Sequence, residues 1–143
     1  MNPELKAFYQ DLILQHNKQP IHFYAIEAAD HILEAYNPIC GDRFKVFLKL
    51  RDQRIIELSF QGYGCAISKA STSVMVEQLK GKTLEEAKQL IEVFYQSIES
   101  QVEEAPSDAP SAFSAFSAVQ SFPGRKPCVV LAWEELETFV KQP

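Results

Sequence analysis

Three cysteines and one aspartate constrain this chain more than any other feature. They lie far apart in sequence, so they act together only if the fold brings them to one point. They occur in Asn37-Pro38-Ile39-Cys40-Gly41-Asp42, Gly62-Tyr63-Gly64-Cys65-Ala66-Ile67-Ser68 and Arg125-Lys126-Pro127-Cys128. Three thiolates and a carboxylate can fill a tetrahedral site for a borderline-soft cation such as zinc. Free cysteine is also among the most buried residue types, and these long spacings match no zinc-finger pattern. The residues alone therefore leave two readings: a shared site at Cys40, Asp42, Cys65 and Cys128, or ordinary small hydrophobes.

Local sequence favours neither disulfides nor a membrane. Three cysteines cannot all pair within one chain. The opening Met1-Asn2-Pro3-Glu4-Leu5-Lys6 lacks a charged region followed by an apolar one, so the expectation is no signal peptide and a cytoplasmic location, where thiols stay reduced. No apolar run is long enough to span a bilayer. The net charge of −5 argues against nucleic acid and against anionic membranes, since both need lysine and arginine to neutralise phosphate. A length of 143 residues with 46% hydrophobic content is enough for one domain, 1–143, with its own core.

The pattern along the chain predicts α+β architecture, a small antiparallel sheet packed against several helices. Asn2-Pro3-Glu4 starts a first helix, with an N-cap, proline at the first helical position and an early acid. Leu5, Phe8, Tyr9, Leu12 and Ile13 recur at helical spacing and should face inward. His16 should end that helix, where a cation suits the dipole. Residues 21–39 show no clear period and read as mostly loop, with at most a short helical turn. Residues 44–50 and 54–60 read as two strands joined by Arg51-Asp52-Gln53 in an antiparallel hairpin. After Gly62 and Gly64 a helix should run from Cys65 to Lys80, with Gly81 as its stop. Thr83-Leu84-Glu85-Glu86 is a capping-box pattern that opens the next helix. From Ala105 to Ser121 the chain is rich in Ser, Ala, Pro and Phe, yet Phe113, Phe116 and Val119 recur every three residues. That spacing points to a short amphipathic helix lying on the core. Residues 129–140 read as a final helix, with Trp133 in the core and Glu134 and Glu135 on a solvated face.

Each cysteine falls at an element boundary. Gly41 lets the backbone turn so that Cys40 and Asp42 face one point. Cys65 stands where a strand ends and a helix begins, and Cys128 near the start of the last helix. Helix N-termini favour thiolates, and Arg125 and Lys126 should lower the Cys128 pKa further. His22 and His31 read as surface or partly buried residues. Ser68, Ser71 and Ser73 read as small residues that permit close helix packing, because no nucleophile elbow surrounds them.

Taken together, these segments resemble the IscU/NifU-N/SufU family of iron–sulfur cluster assembly proteins. The likeness rests on Asn37-Pro38-Ile39-Cys40-Gly41-Asp42 and on Phe60-Gln61-Gly62-Tyr63-Gly64-Cys65-Ala66-Ile67-Ser68 with Ala70-Ser71-Thr72-Ser73. Leu12-Ile13-Leu14-Gln15-His16 with Pro20 fits the family's opening helix. Cys65-Ala66-Ile67-Ser68, the long approach to the third cysteine (102–124) and Arg125-Lys126-Pro127-Cys128-Val129-Val130-Leu131-Ala132-Trp133 resemble the SufU branch. Pro127 stands where IscU proteins place a histidine, the Leu-Pro-Pro-Val-Lys chaperone segment is missing, and Pro20-Ile21-His22-Phe23 lacks the usual Arg-Asn. The resemblance implies an IscU/NifU-N-like single domain in which 102–124 is a SufU-type insertion. It implies zinc held by Cys40, Asp42, Cys65 and Cys128, with Cys40 accepting persulfide sulfur from a SufS-type cysteine desulfurase. The partner would supply a replacement ligand, Arg125 would orient or charge-stabilise the exchange, and downstream acceptor proteins would follow. The alternatives are a scaffold on which a 2Fe-2S cluster forms on the same residues, iron in place of zinc, and an interaction protein with a structural zinc or none. A solvated surface role is the competing reading of Arg125.

Overall fold

The computed structural model describes residues 3–99 and 109–142, apart from the Leu5 side chain. Its elements run α1 (Pro3–Lys18), β1 (His31–Asn37), β2 (Asp42–Arg51), β3 (Arg54–Tyr63), α2 (Ala66–Leu79), α3 (Leu84–Glu99), α4 (Ser111–Ala115) and α5 (Lys126–Val140). Two 3-10 turns, Phe116–Ser121 and Pro123–Arg125, join α4 to α5. The fold is α+β, as the pattern predicts. Residues 102–108 of the anticipated insertion lie outside the described residues.

The sheet has three antiparallel strands in the order β1-β2-β3, one more than the predicted hairpin. β1 falls where the sequence suggested loop. Its register, from His31 opposite Leu48 to Asn37 opposite Asp42, turns Leu33 and Ala35 toward the helices. The alternation is hidden in the sequence because the outward positions include Ile32 and Tyr36, which are apolar too. Arg51 pairs with Arg54, so the β2–β3 turn is two residues long rather than three. Asp52 and Gln53 both take positive φ, 52° and 66°, the backbone of a type I′ turn that follows strand twist.

The helices cover one face. Ala35, Phe44, Val46, Leu48, Leu58 and Phe60 form the buried sheet surface, and α2 lies against α1, α5 and β3. Trp133 of α5 stacks on Phe94 of α3, with centroids 3.8 Å apart and planes 4° apart. Phe113 meets both rings edge-on. Phe113, Phe116 and Val119 are buried, and their three-residue spacing arises because the short α-helix passes into 3-10 geometry, which repeats every third residue.

Two expectations for α1 change. Phe8 is exposed, because the buried stripe narrows to Tyr9 and Leu12 with Ile13 partly covered. His16 stands in the last turn of α1 as expected, but its surroundings disfavour the charged ring. Its Nδ1 lies 2.6 Å from Ser73 Oγ, and burial lowers its pKa although Glu77 pulls the other way. No helix among the described residues is long and apolar enough to cross a membrane.

Candidate metal centre

The site forms where β1 hands over to β2 and where β3 hands over to α2. In the first turn, the Gly41 amide donates to the Asn37 carbonyl at 2.8 Å and the Ile39 amide to Asn37 Oδ1 at 3.1 Å. Gly41 takes φ +76°, with nothing within 4 Å of where a Cβ would lie, so the chain reverses and sets Cys40 beside Asp42. Ile39 is 93% exposed and Cys40 is also exposed. Asp42 is fully buried. It opens β2 and points the same way as Phe44.

Gly64 makes room for the carboxylate. A Cβ there would meet Asp42 Oδ1 at 2.7 Å and Ser68 Oγ at 2.8 Å. The Cys65 amide donates to Asp42 Oδ1 at 2.8 Å, tying the start of α2 to the start of β2. Asp42 Oδ2 is buried and has no hydrogen-bond partner among the described residues. An orphaned carboxylate oxygen is costly, so this atom marks a place where a cation would stabilise the fold.

Cys65 is the N-cap of α2, and its Sγ accepts from the Ser68 amide at 3.4 Å. Cys128 sits in the first turn of α5 and is buried. Its Sγ lies 4.0 Å from Cys40 Sγ. One ligand atom each from Cys40, Asp42 and Cys128 fall within 4.8 Å of one another. A tetrahedral zinc with Zn–S bonds of about 2.3 Å sets sulfurs about 3.8 Å apart, so the observed spacing fits such an ion. Of the four residues singled out in the sequence, three converge. Cys65 stands outside that group, with its thiol at the α2 terminus, close enough to Cys128 to raise that thiol's pKa. The donor set is two sulfurs and one carboxylate oxygen, with a third sulfur alongside, which suits zinc or iron.

The expectation of a lowered Cys128 pKa does not hold. Burial, then the neighbouring Cys65 and Cys40 thiols, pushes it up to about 12. The cations offered by the sequence act elsewhere: Lys126 Nζ pairs with Glu99 at 2.8 Å, and Arg125 is exposed at the α5 N-cap. A cation bound among these sulfurs would reverse that shift.

Sequence reasoning treated Tyr9 only as core. Its hydroxyl is buried without a hydrogen-bond partner among the described residues. Burial and then Cys65 push its pKa up to about 12, Cys128 adds to the shift, and Arg125 opposes it. The phenol therefore belongs to the electrostatic surroundings of the cysteines, and Arg125 acts on the phenol. The one available signal was a tyrosine, rather than phenylalanine, on the inward stripe of α1.

The family described as NifU-like N terminal domain matches residues 8–142. The chain belongs to that family. It is 31% identical over 139 residues to the iron–sulfur cluster assembly scaffold protein IscU of Streptococcus pyogenes serotype M1, covering 97% of this chain and 86% of that one. It is also 31% identical over 136 residues to the zinc-dependent sulfurtransferase SufU of Bacillus subtilis, covering 95% and 91%. A crystal structure from Fervidobacterium islandicum AW-1, described as a candidate iron–sulfur cluster assembly scaffold for the SUF system, superposes with a TM-score of 0.80. That chain is 32% identical, with 94% of this chain and 98% of that chain covered. The NifU-like N-terminal protein of Brucella abortus shares the fold, with a TM-score of 0.76 at 22% identity. This NifU-like chain is thus a member of the IscU/SufU iron–sulfur cluster assembly family.

Proposed function

We propose that this chain is a zinc-dependent sulfurtransferase of iron–sulfur cluster biogenesis, which accepts persulfide sulfur on Cys40 from a SufS-type cysteine desulfurase. The observation that carries the reading is an exposed thiol, Cys40, with its ligand atom within 4.8 Å of those of two buried donors, Asp42 and Cys128. Cys40, Asp42, Cys65 and Cys128 would hold the metal, and Cys65 would turn from its capping position to do so. When bound, zinc would keep these thiolates deprotonated at neutral pH.

The chain's own residues account for the transfer. Cys40 thiolate attacks the outer sulfur of the donor persulfide, the donor's sulfur–sulfur bond breaks, and the donor cysteine leaves as a thiolate. Cys40 then carries the persulfide. Its position on a solvent-facing turn between Ile39 and Gly41 lets a partner's loop approach in line. Asp42, held at Oδ1 by the Cys65 amide, stays in place while Cys40 exchanges. Arg125, exposed nearby, would balance anionic sulfur. The name of the Bacillus relative supports this reading, as does Pro127 at the position where IscU proteins carry a histidine. Residues 102–124 would form the approach to the third cysteine, and the reducing cytoplasm would suit the free thiols.

A second reading, a scaffold that builds a 2Fe-2S cluster on the same residues and passes it to apoproteins, draws on the IscU name of the Streptococcus relative and on donors that also accept iron. Desulfurase turnover with and without the protein, at known zinc and iron content, separates the two. Sulfur acceptance predicts strong stimulation by zinc-loaded protein, lost in Cys40→Ser. A native desulfurase that turns over no faster overturns it, and a stable chromophore formed with iron and sulfide then establishes the scaffold.

A further inference from the structure

The first turn of α5 carries Cys128 but is poorly anchored by its own sequence. Arg125 at the N-cap makes no side-chain capping bond, Pro127 removes an amide, and a three-residue 3-10 turn leads in. Helix ends of this kind fray unless something else holds them. The anchor comes from α2. Ser71 Oγ donates to the Val129 carbonyl at 2.5 Å, and Trp133 Nε1 donates to the same Ser71 Oγ at 2.9 Å. An indole nitrogen can only donate, so it fills the hydroxyl's acceptor side and directs the Ser71 proton onto the carbonyl next to Cys128. The relay is dry: Ser71 and Trp133 are buried, and the indole is fixed by its stack on Phe94.

We propose that Ser71 is a positioning residue for the metal centre, an inference that rests on reading Cys40, Asp42, Cys65 and Cys128 as that centre. α2 holds Cys65 at its N-cap and, from Ser71, holds the turn that carries Cys128. A single helix therefore sets where both of these sulfurs stand relative to the Cys40–Asp42 turn. Ser71 does not touch the metal. It acts through Val129 on the direction of the neighbouring Cys128 thiol, so that Cys128 Sγ meets Cys40 Sγ rather than rotating with a loose helix end.

Cobalt(II) is the probe, because its visible ligand-field bands report donor set and geometry directly. Full-length protein is loaded with cobalt, its spectrum recorded, and its affinity measured by chelator competition. Cys128→Ser must first weaken the thiolate-to-cobalt absorption of the parent protein, since Cys40 and Cys65 remain; a parent that takes up no cobalt overturns both the metal reading and this inference. Ser71→Ala should then shift the ligand-field bands and weaken cobalt binding about tenfold, the lower range for an outer-shell contact. Ser71→Thr, which keeps the hydroxyl, should restore both. Trp133→Phe, which keeps a ring on Phe94 but loses the N–H, should give a smaller shift in the same direction. Leu136→Ala is the control, since Leu136 is buried on the same helix one turn past Trp133 and has no polar side-chain atom to join the relay; it should lower stability and leave the spectrum alone. A folded Ser71→Ala protein with parental spectrum and affinity overturns the inference while leaving the metal centre standing. A Leu136→Ala spectrum changed as much as that of Ser71→Ala also overturns it, since general loosening then suffices. Should Ser71→Ala fail to fold, Trp133→Phe decides, and an unchanged spectrum there counts against the proposal.

Discussion

The β2–β3 ladder has two ends, and they are finished in opposite ways. At the Asp52–Gln53 turn, the Ile55 amide donates to the Lys82 carbonyl at 2.8 Å and the Gly81 amide to the Ile55 carbonyl at 2.7 Å. The Leu84 amide reaches Gln53 at 2.8 Å. Arg54 closes on the Gly81 carbonyl at 2.6 Å, and Thr83 and Glu86 form a reciprocal capping box at 2.9 and 3.0 Å. At the other end a carboxylate oxygen of Asp42 is buried without a partner, Cys40 stands in solvent, and Tyr63 is 65% exposed. One end spends its polar groups on the fold. The other withholds them, and those withheld groups are the ones with chemistry left to do.

Substitutions can break or sharpen that contrast. The largest effect should come from Gly62→Ala beside the open end. Its Cβ would lie 2.2 Å from the Arg43 carbonyl oxygen, at φ +138°. Urea denaturation should show a loss of more than about 3 kcal/mol; a mild loss would mean that this end can give way. Next is Asp42→Asn. Metal affinity should fall by more than the roughly 10–100-fold typical of an outer-shell contact. The metal-free protein should hold its stability or gain about 1 kcal/mol, because a buried unpaired charge is gone. A metal-free variant that unfolds would show Asp42 to be structural, like the closed end.

At the closed end, Gln53→Gly should raise stability by about 1 kcal/mol by relieving a side chain at positive φ, with metal retention unchanged. Any change in metal retention would show that the two ends communicate. The smallest effect lies away from both. Because burial depresses the His16 pKa below 6.5, the folded state favours the neutral ring. That contribution is complete above pH 6.5 and is lost as pH falls through the lower folded-state value. Stability against urea should decline below pH 6.5, and His16→Gln should flatten that decline.

How much of this was legible in the sequence follows the same division. Elements with end signals or contrast between faces could be read: α2 from its glycine-marked start and its stop at Gly81, the capping box at Thr83 and Glu86, and the strands around the Asp52 turn. β1 could not, because Ile32 and Tyr36 stand on its outer face and erase the polar–apolar signal. For the site, residue type and boundary position singled out Cys40, Asp42, Cys65 and Cys128, of which Cys40, Asp42 and Cys128 converge within 4.8 Å. The error lay in electrostatics. Arg125 and Lys126 adjoin Cys128 in sequence, but sequence proximity does not reveal that Lys126 turns to Glu99 while the thiol turns inward among other sulfurs. Tyr9 was missed for a related reason, since a hydroxyl's isolation is a property of packing alone.

The turn at Ile39–Gly41 carries a consequence for alteration of the molecule. Little of the core leans on it: its residues face solvent and no atom crowds Gly41. Modification at Cys40, whether an added sulfur, a bulky label or an oxidised form, would therefore be tolerated without loss of the native state. On the proposed reading Cys40 is mounted on the fold like a replaceable tip, so its occupants would change through every cycle of work while the body that presents it stays the same.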